Sequence, residues 1–218
     1  MSIKENIDLL NKQIPEEVSL VAVSKTKPIQ DLEEAYLAGQ RIFGENKIQE
    51  MTEKWEALPK DIQWHMIGHV QTNKVKYMAP YVSLIHGVDR IKVLKEINKQ
   101  GAKNERIIPC LLQVHIAEEE TKFGFSSDEI ESLFRGHEYQ DYPNTKIVGL
   151  MGMASNTSDL DKVRQEFKGL SQLYHRLNTQ GAHLNTLSMG MSGDYMLAIE
   201  QGSNMVRIGS KIFGSRNN

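Results

Sequence analysis

Lys25 ends the apolar run Leu20-Val21-Ala22-Val23-Ser24 and stands three residues before Pro28. A lysine there packs its stem in protein and aims its amine past the end of a strand. Lost hydration lowers the pKa of such an amine and makes it a nucleophile toward an aldehyde. A lysine that snorkels out of a strand end is the plainer reading, and the far end of the chain bears on the choice. Ser188-Met189-Gly190-Met191-Ser192-Gly193-Asp194 and Val206-Arg207-Ile208-Gly209-Ser210 together look like an anion cradle. Ser192 is expected to cap a short helix over 194–201 and to present its hydroxyl and free N–H groups to an anion. Gly209 lets the backbone come close, and Ser210 adds a hydroxyl. Ordinary turn chemistry would account for either segment alone.

Arg207 is the second unusual residue. Alternation places Met205, Arg207 and Gly209 on one face of the last strand and Val206 and Ile208 on the other. If Val206 and Ile208 face helices, Arg207 points into the interior and needs an acceptor there. Two acceptors fit: a carboxylate such as Glu45, or a heteroaromatic ring nitrogen that a permanent cation would keep unprotonated.

Eight short apolar runs, roughly 19–25, 41–45, 63–68, 82–88, 107–116, 146–153, 185–191 and 205–209, must position these groups. Amphipathic segments separate them. Residues 29–38 follow Pro28 with helical spacing. Ser126 and Glu129 read as a capping box opening 127–135. The longest helix is expected over 159–180, with Leu160, Val163, Phe167, Leu170, Leu173, Tyr174 and Leu177 on one face and Gly181 as its stop. Residues 3–13 look like an extra N-terminal helix. Strands alternating with helices predict a parallel sheet. Eight units without Gly-x-Gly-x-x-Gly after the first strand favour an α/β fold that is a single (β/α)8 TIM barrel, residues 1–218 forming one domain, over a Rossmann sheet.

A barrel gathers its site at the C-terminal ends of its strands. Lys25, Asn46 after the second strand, the 192 segment and Arg207-Ile208-Gly209-Ser210 all fall there. The first and last strands pair when the barrel closes. An aldehyde-reactive amine, a ring-nitrogen partner and an anion hole then lie together, which describes a site for pyridoxal 5′-phosphate (PLP).

Several stretches carry a resemblance: Ala22-Val23-Ser24-Lys25-Thr26-Lys27-Pro28, Phe43-Gly44-Glu45-Asn46, Ile67-Gly68-His69-Val70-Gln71-Thr72-Asn73-Lys74, Gly149-Leu150-Met151-Gly152-Met153, Ser188-Met189-Gly190-Met191-Ser192 and Val206-Arg207-Ile208-Gly209-Ser210-Lys211-Ile212-Phe213-Gly214. In order and over the whole chain, they resemble the pyridoxal phosphate homeostasis protein family. That family is similar to the barrel domain of alanine racemase and is classed with fold-type III PLP proteins. The resemblance implies that Lys25 carries PLP as a Schiff base and that Arg207 faces the pyridine nitrogen. It also implies that Ser192, Gly209 and Ser210 hold the phosphate, with Asn46 near the ring. Lys122 matches a position suggested as a second, weaker PLP contact, or is a solvated loop lysine. Trp64-His65-Met66 and Ser210 depart conservatively from the family's commoner forms.

Composition narrows the partners. The chain has 218 residues and a net charge of −2, which argues against nucleic acid or an anionic membrane surface as partner. No apolar run approaches a membrane span, and the N-terminus lacks a signal-peptide core. The single Cys110, inside Ile107-Ile108-Pro109-Cys110-Leu111-Leu112, fits a small buried hydrophobe in a reducing, cytoplasmic setting. His65 and His69 are four apart, but they flank a strand end, so the helical geometry of a metal pair fails; no metal is expected. Met151, Met153, Met189 and Met191 are expected as packing or as lining of the cofactor pocket.

A racemase of the related architecture takes its second base, a tyrosine, from a C-terminal β-domain of a partner subunit. This sequence stops at Asn218, just after the eighth strand. The expectation is therefore a monomeric PLP-binding regulator of vitamin B6 and amino-acid pools that hands PLP to apo-enzymes. A PLP-dependent amino-acid racemase or lyase is the alternative, and a barrel that has lost its cofactor is a third reading.

Overall fold

The computed structural model describes residues 2–119 and 123–214. Eight strands close a parallel barrel in sequence order: β1 (Ser19–Val23), β2 (Ile42–Glu45), β3 (Gln63–Met66), β4 (Leu84–Val88), β5 (Ile108–Val114), β6 (Thr145–Gly152), β7 (Thr186–Met191) and β8 (Met205–Ile208). The helices are α1 (Ile3–Gln13), α2 (Ile29–Leu37), α3 (Ile48–Ala57), α4 (Val75–Met78), α5 (Ile91–Lys103), α6 (Ser127–Arg135), α7 (Leu160–Thr179), α8 (Tyr195–Glu200) and α9 (Ser210–Phe213), with 3₁₀ turns at Thr72–Lys74 and Glu138–Asp141. The extra N-terminal helix is α1, and the capping box of Ser126 and Glu129 opens α6. None of the described helices is long and apolar enough to cross a membrane.

Closure is made by β1 and β8, in a register that sets Val21 beside Arg207 and Ala22 beside Ile208. Period-two alternation then divides each strand between two cores. Leu20, Ala22, Val206 and Ile208 pack outward with the helices. Val21, Leu84, Leu111, Met151 and Met205 fill the barrel interior. The outward core is the larger. Burial of its Val, Leu, Ile and Phe side chains stabilises the fold by roughly 1.5–3 kcal/mol for each, as an upper estimate.

Leu160 departs from the expected buried face of α7. It is the first helical residue and is 55% exposed, because the stripe meets the sheet only from Val163 onward. Asp159, whose carboxylate accepts the Asp161 and Lys162 N–H groups, starts this helix. Cys110 is buried on the outward face of β5, and burial pushes its thiol up to about 12.

Candidate functional site

Lys25 sits in the turn after β1, where the Lys27 N–H donates to Ser24 O at 3.1 Å. Thr26 follows with φ +63. A β-branched residue in the left-handed region costs on the order of 1–3 kcal/mol and persists only when its surroundings impose it. Here they do. The Thr26 N–H donates to Glu50 Oε1 at 2.6 Å, and the buried Lys54 amine on α3 donates to Ser24 O at 2.8 Å. Lys54 also donates to Glu45 Oε1 and Glu50 Oε1, each at 2.7 Å, and Ser24 Oγ donates to Glu45 Oε1. Glu45 is fully buried, and its Oε2 meets no partner among the described residues. Burial therefore raises its pKa, against the opposing pull of Lys54. This cluster corrects one expectation: Glu45 faces α3 and Lys54, outside the barrel, and does not meet Arg207.

Arg207 does point inward, and it is buried. Its Nη1 donates to Ser188 O at 3.0 Å and to Ser188 Oγ at 2.6 Å, and its Nη2 donates to Gly152 O at 3.1 Å. These contacts occupy three of the five N–H donors of a guanidinium. The other two meet no acceptor among the described residues. Burial lowers the Arg207 pKa to about 10, with Asp194 pulling it upward. The group is still a cation at neutral pH.

The six expected site residues come together. Lys25, Asn46, Ser192, Arg207, Gly209 and Ser210 all line one cavity of about 340 Å³ at the C-terminal end of the barrel. The Gly209 N–H donates to Ser192 Oγ at 3.2 Å, which ties the loop after β7 to the loop after β8. Ser192 does not cap α8, contrary to expectation. The chain makes a further turn, Asp194 takes the cap position, and its carboxylate accepts the Met191 N–H. The Ser192 hydroxyl proton is left to reach into the cavity. The Gly193 and Ser210 N–H groups meet no acceptor among the described residues, and a Cβ on Gly193 would enter open space. Free amide donors, a hydroxyl and three nearby cations suit a phosphate. Gly68 packs against Asn46: a Cβ there would overlap Asn46 O, so only glycine allows Asn46 its place.

Sequence reasoning missed Lys27, which lines the cavity while its amine donates to Phe213 O at 2.8 Å. Its position in the Lys25-Thr26-Lys27 run was the available signal. Of the four methionines, Met153 and Met191 line the cavity. Met151 lies in the barrel interior and Met189 faces the helices. Lys122 lies outside the described residues.

The alanine racemase N-terminal domain family matches residues 1–217. The pyridoxal phosphate homeostasis protein of Vibrio alginolyticus is 39% identical over 230 residues, covering 99% of this chain and 98% of that protein. The protein of the same name from Aquifex aeolicus is 41% identical over 200 residues, covering 90% and 86%. The chain belongs to the pyridoxal phosphate homeostasis protein family.

Solved structures agree with this family fold. PipY of Synechococcus elongatus without PLP superposes with a TM-score of 0.92 at 31% identity, covering 98% of this chain and 100% of that one. The PLP-bound structure of the same protein gives 0.89 with the same identity and coverage. Alanine racemase of Clostridium difficile gives 0.79 at 13% identity, over 100% of this chain and 57% of that chain, which is a likeness of fold.

Proposed function

We propose that this protein binds PLP in the cavity, carries it covalently on the Lys25 amine, and serves cytoplasmic vitamin B6 homeostasis and amino-acid balance rather than fast catalysis. One observation carries the reading. Lys25 and a buried Arg207 with two unused donors share a cavity whose other wall is an anion hole. When bound, PLP supplies a reactive aldehyde and an aromatic ring able to take up electrons. Each end of that molecule has a counterpart in the chain. The Lys25 amine meets the aldehyde, the spare N–H groups of Arg207 meet the ring nitrogen, and Ser192, Gly193 and Ser210 meet the phosphate. Asn46 borders the ring.

The same residues argue for holding over turnover. Arg207 stays charged and donates, so it withholds a proton from the ring nitrogen, which weakens the ring as an electron sink. Among the described residues, the cavity wall offers no tyrosine, histidine or carboxylate to act as a second base opposite Lys25. Cys110, buried with a raised thiol pKa, supports a setting that needs no disulfide. Apo-forms of PLP-dependent enzymes are the natural acceptors for a monomeric carrier.

The test follows transfer. Protein loaded with PLP is mixed with an apo-enzyme, and recovery of that enzyme's activity is compared with its recovery from an equal amount of free PLP trapped by a scavenger. Recovery despite the scavenger supports a carrier. Deuterium uptake at Cα of amino acids at about 1 per second or faster would instead make the protein an enzyme.

A further inference from the structure

Starting from Arg207 on the cavity wall, four buried side chains from four strands form a continuous hydrogen-bonded row. Arg207 on β8 donates to Ser188 Oγ on β7 at 2.6 Å. Ser188 Oγ lies 3.2 Å from His86 Nδ1 on β4. His86 Nε2 lies 3.0 Å from His65 Nδ1 on β3. The row crosses the barrel, and none of its members is more than 4% exposed.

Donor counting fixes its direction. A guanidinium only donates, so Ser188 Oγ accepts from Arg207. The Ser188 proton then goes to His86 Nδ1, and His86 Nε2–H donates to His65 Nδ1. The opposite orientation leaves the Ser188 proton without an acceptor among the described residues. Both imidazoles are neutral in this arrangement. Burial lowers the His65 pKa to about 3, and burial, with His65 and Arg207 adding to it, lowers His86 well below the usual value.

We infer that Ser188, His86 and His65 are positioning residues that fix Arg207 through neutral dipoles, so that its whole charge faces the ring nitrogen of the bound cofactor. The inference rests on the PLP reading above. A carboxylate in place of Ser188 would hold the guanidinium equally well but cancel its charge. The row supplies the hold without the cancellation, since among the described residues the acceptors of Arg207 are two backbone carbonyls and a hydroxyl. The other charged groups that face this region are Asp194 after β7, which acts on Arg207, and Lys25 and Lys27, which line the same cavity.

The experiment measures the pH midpoint of the visible absorbance of bound PLP, and the ¹⁵N shift of its ring nitrogen, in the full-length protein. Ser188→Thr keeps the hydroxyl and is expected to match the wild type. Ser188→Asp is expected to raise the midpoint by about one pH unit or more and to move the ring nitrogen toward its protonated shift. His86→Leu, which keeps the volume and removes the acceptor for the Ser188 proton, is expected to shift the midpoint by about half a unit. It serves as the second variant if Ser188→Asp does not fold. Normal loading with unchanged midpoints and ring-nitrogen shifts would overturn the relay alone and leave the PLP reading standing. A wild type that takes up no PLP would overturn both.

Discussion

The Thr26 N–H donates to Glu50 Oε1 at 2.6 Å, and this bond fastens the turn that carries Lys25 to the first turn of α3. The positive φ of Thr26 is thereby imposed from a second element. The amine of Lys25 inherits its direction from a carboxylate 24 residues away.

Glu50→Ala is expected to release that turn. It removes the Thr26 acceptor and one partner of Lys54, for a loss of about 1–2 kcal/mol in urea unfolding. PLP affinity is expected to fall about tenfold, a change of roughly 1.4 kcal/mol, because Lys25 no longer starts from one orientation. Unchanged affinity in a folded variant would mean that the turn is held by other contacts.

Lys54→Met tests the buried pair behind the same turn. Lys54 and Glu45 are both almost wholly buried and meet at 2.7 Å. Removing one partner of such a pair costs about 3–5 kcal/mol. Glu45 already has a raised pKa, and its protonated form needs no counter-charge. The loss should therefore be smaller near pH 5 than near pH 8, as read from urea midpoints at the two values. An equal loss at both would contradict this account of Glu45.

His65 and His86 set an acid window. Their folded pKa values are depressed, so their contribution to stability is complete above the unfolded value of 6.5 and is lost as pH falls toward the folded value, about 3 for His65. Each histidine should steepen the fall by up to about 1.4 kcal/mol per pH unit. Glu45, raised rather than lowered, works in the opposite direction at the acid end. Unfolding free energies between pH 6.5 and 4.5 check this: His86→Gln should flatten the slope, and an unchanged slope would contradict the neutral-pair assignment.

Ser192→Ala removes both the acceptor for the Gly209 N–H and a hydroxyl on the anion hole. Affinity for PLP is expected to fall about tenfold, the scale of a hydrogen bond to a charged group. Affinity for pyridoxal, which lacks the phosphate, should change little. Equal losses for both would move the phosphate elsewhere.

Much of this was legible in the residues themselves. Val206 and Ile208 alternate with Met205 and Arg207, and that period of two is enough to turn Arg207 inward. Strand ends were less visible. β1 stops at Val23 rather than Lys25 because Thr26 takes a positive φ that no glycine announces. The partners of Arg207 were illegible for a different reason. Ser188 on β7 and Gly152 on β6 reach it from 19 and 55 residues away in sequence, and His86 meets Ser188 over 102 residues. No local pattern encodes such distances. Glu45 misled because its position at a strand end suggested the site, while the pleat turned it to Lys54.

Borohydride trapping tests the central claim most directly. The protein is incubated with PLP, reduced, digested and mapped by mass spectrometry. The account predicts a single dominant phosphopyridoxyl mark on Lys25 and its loss in Lys25→Ala, with Lys27 unmarked in the wild type. A dominant mark on another lysine, or equal labelling of Lys25→Ala, would contradict it.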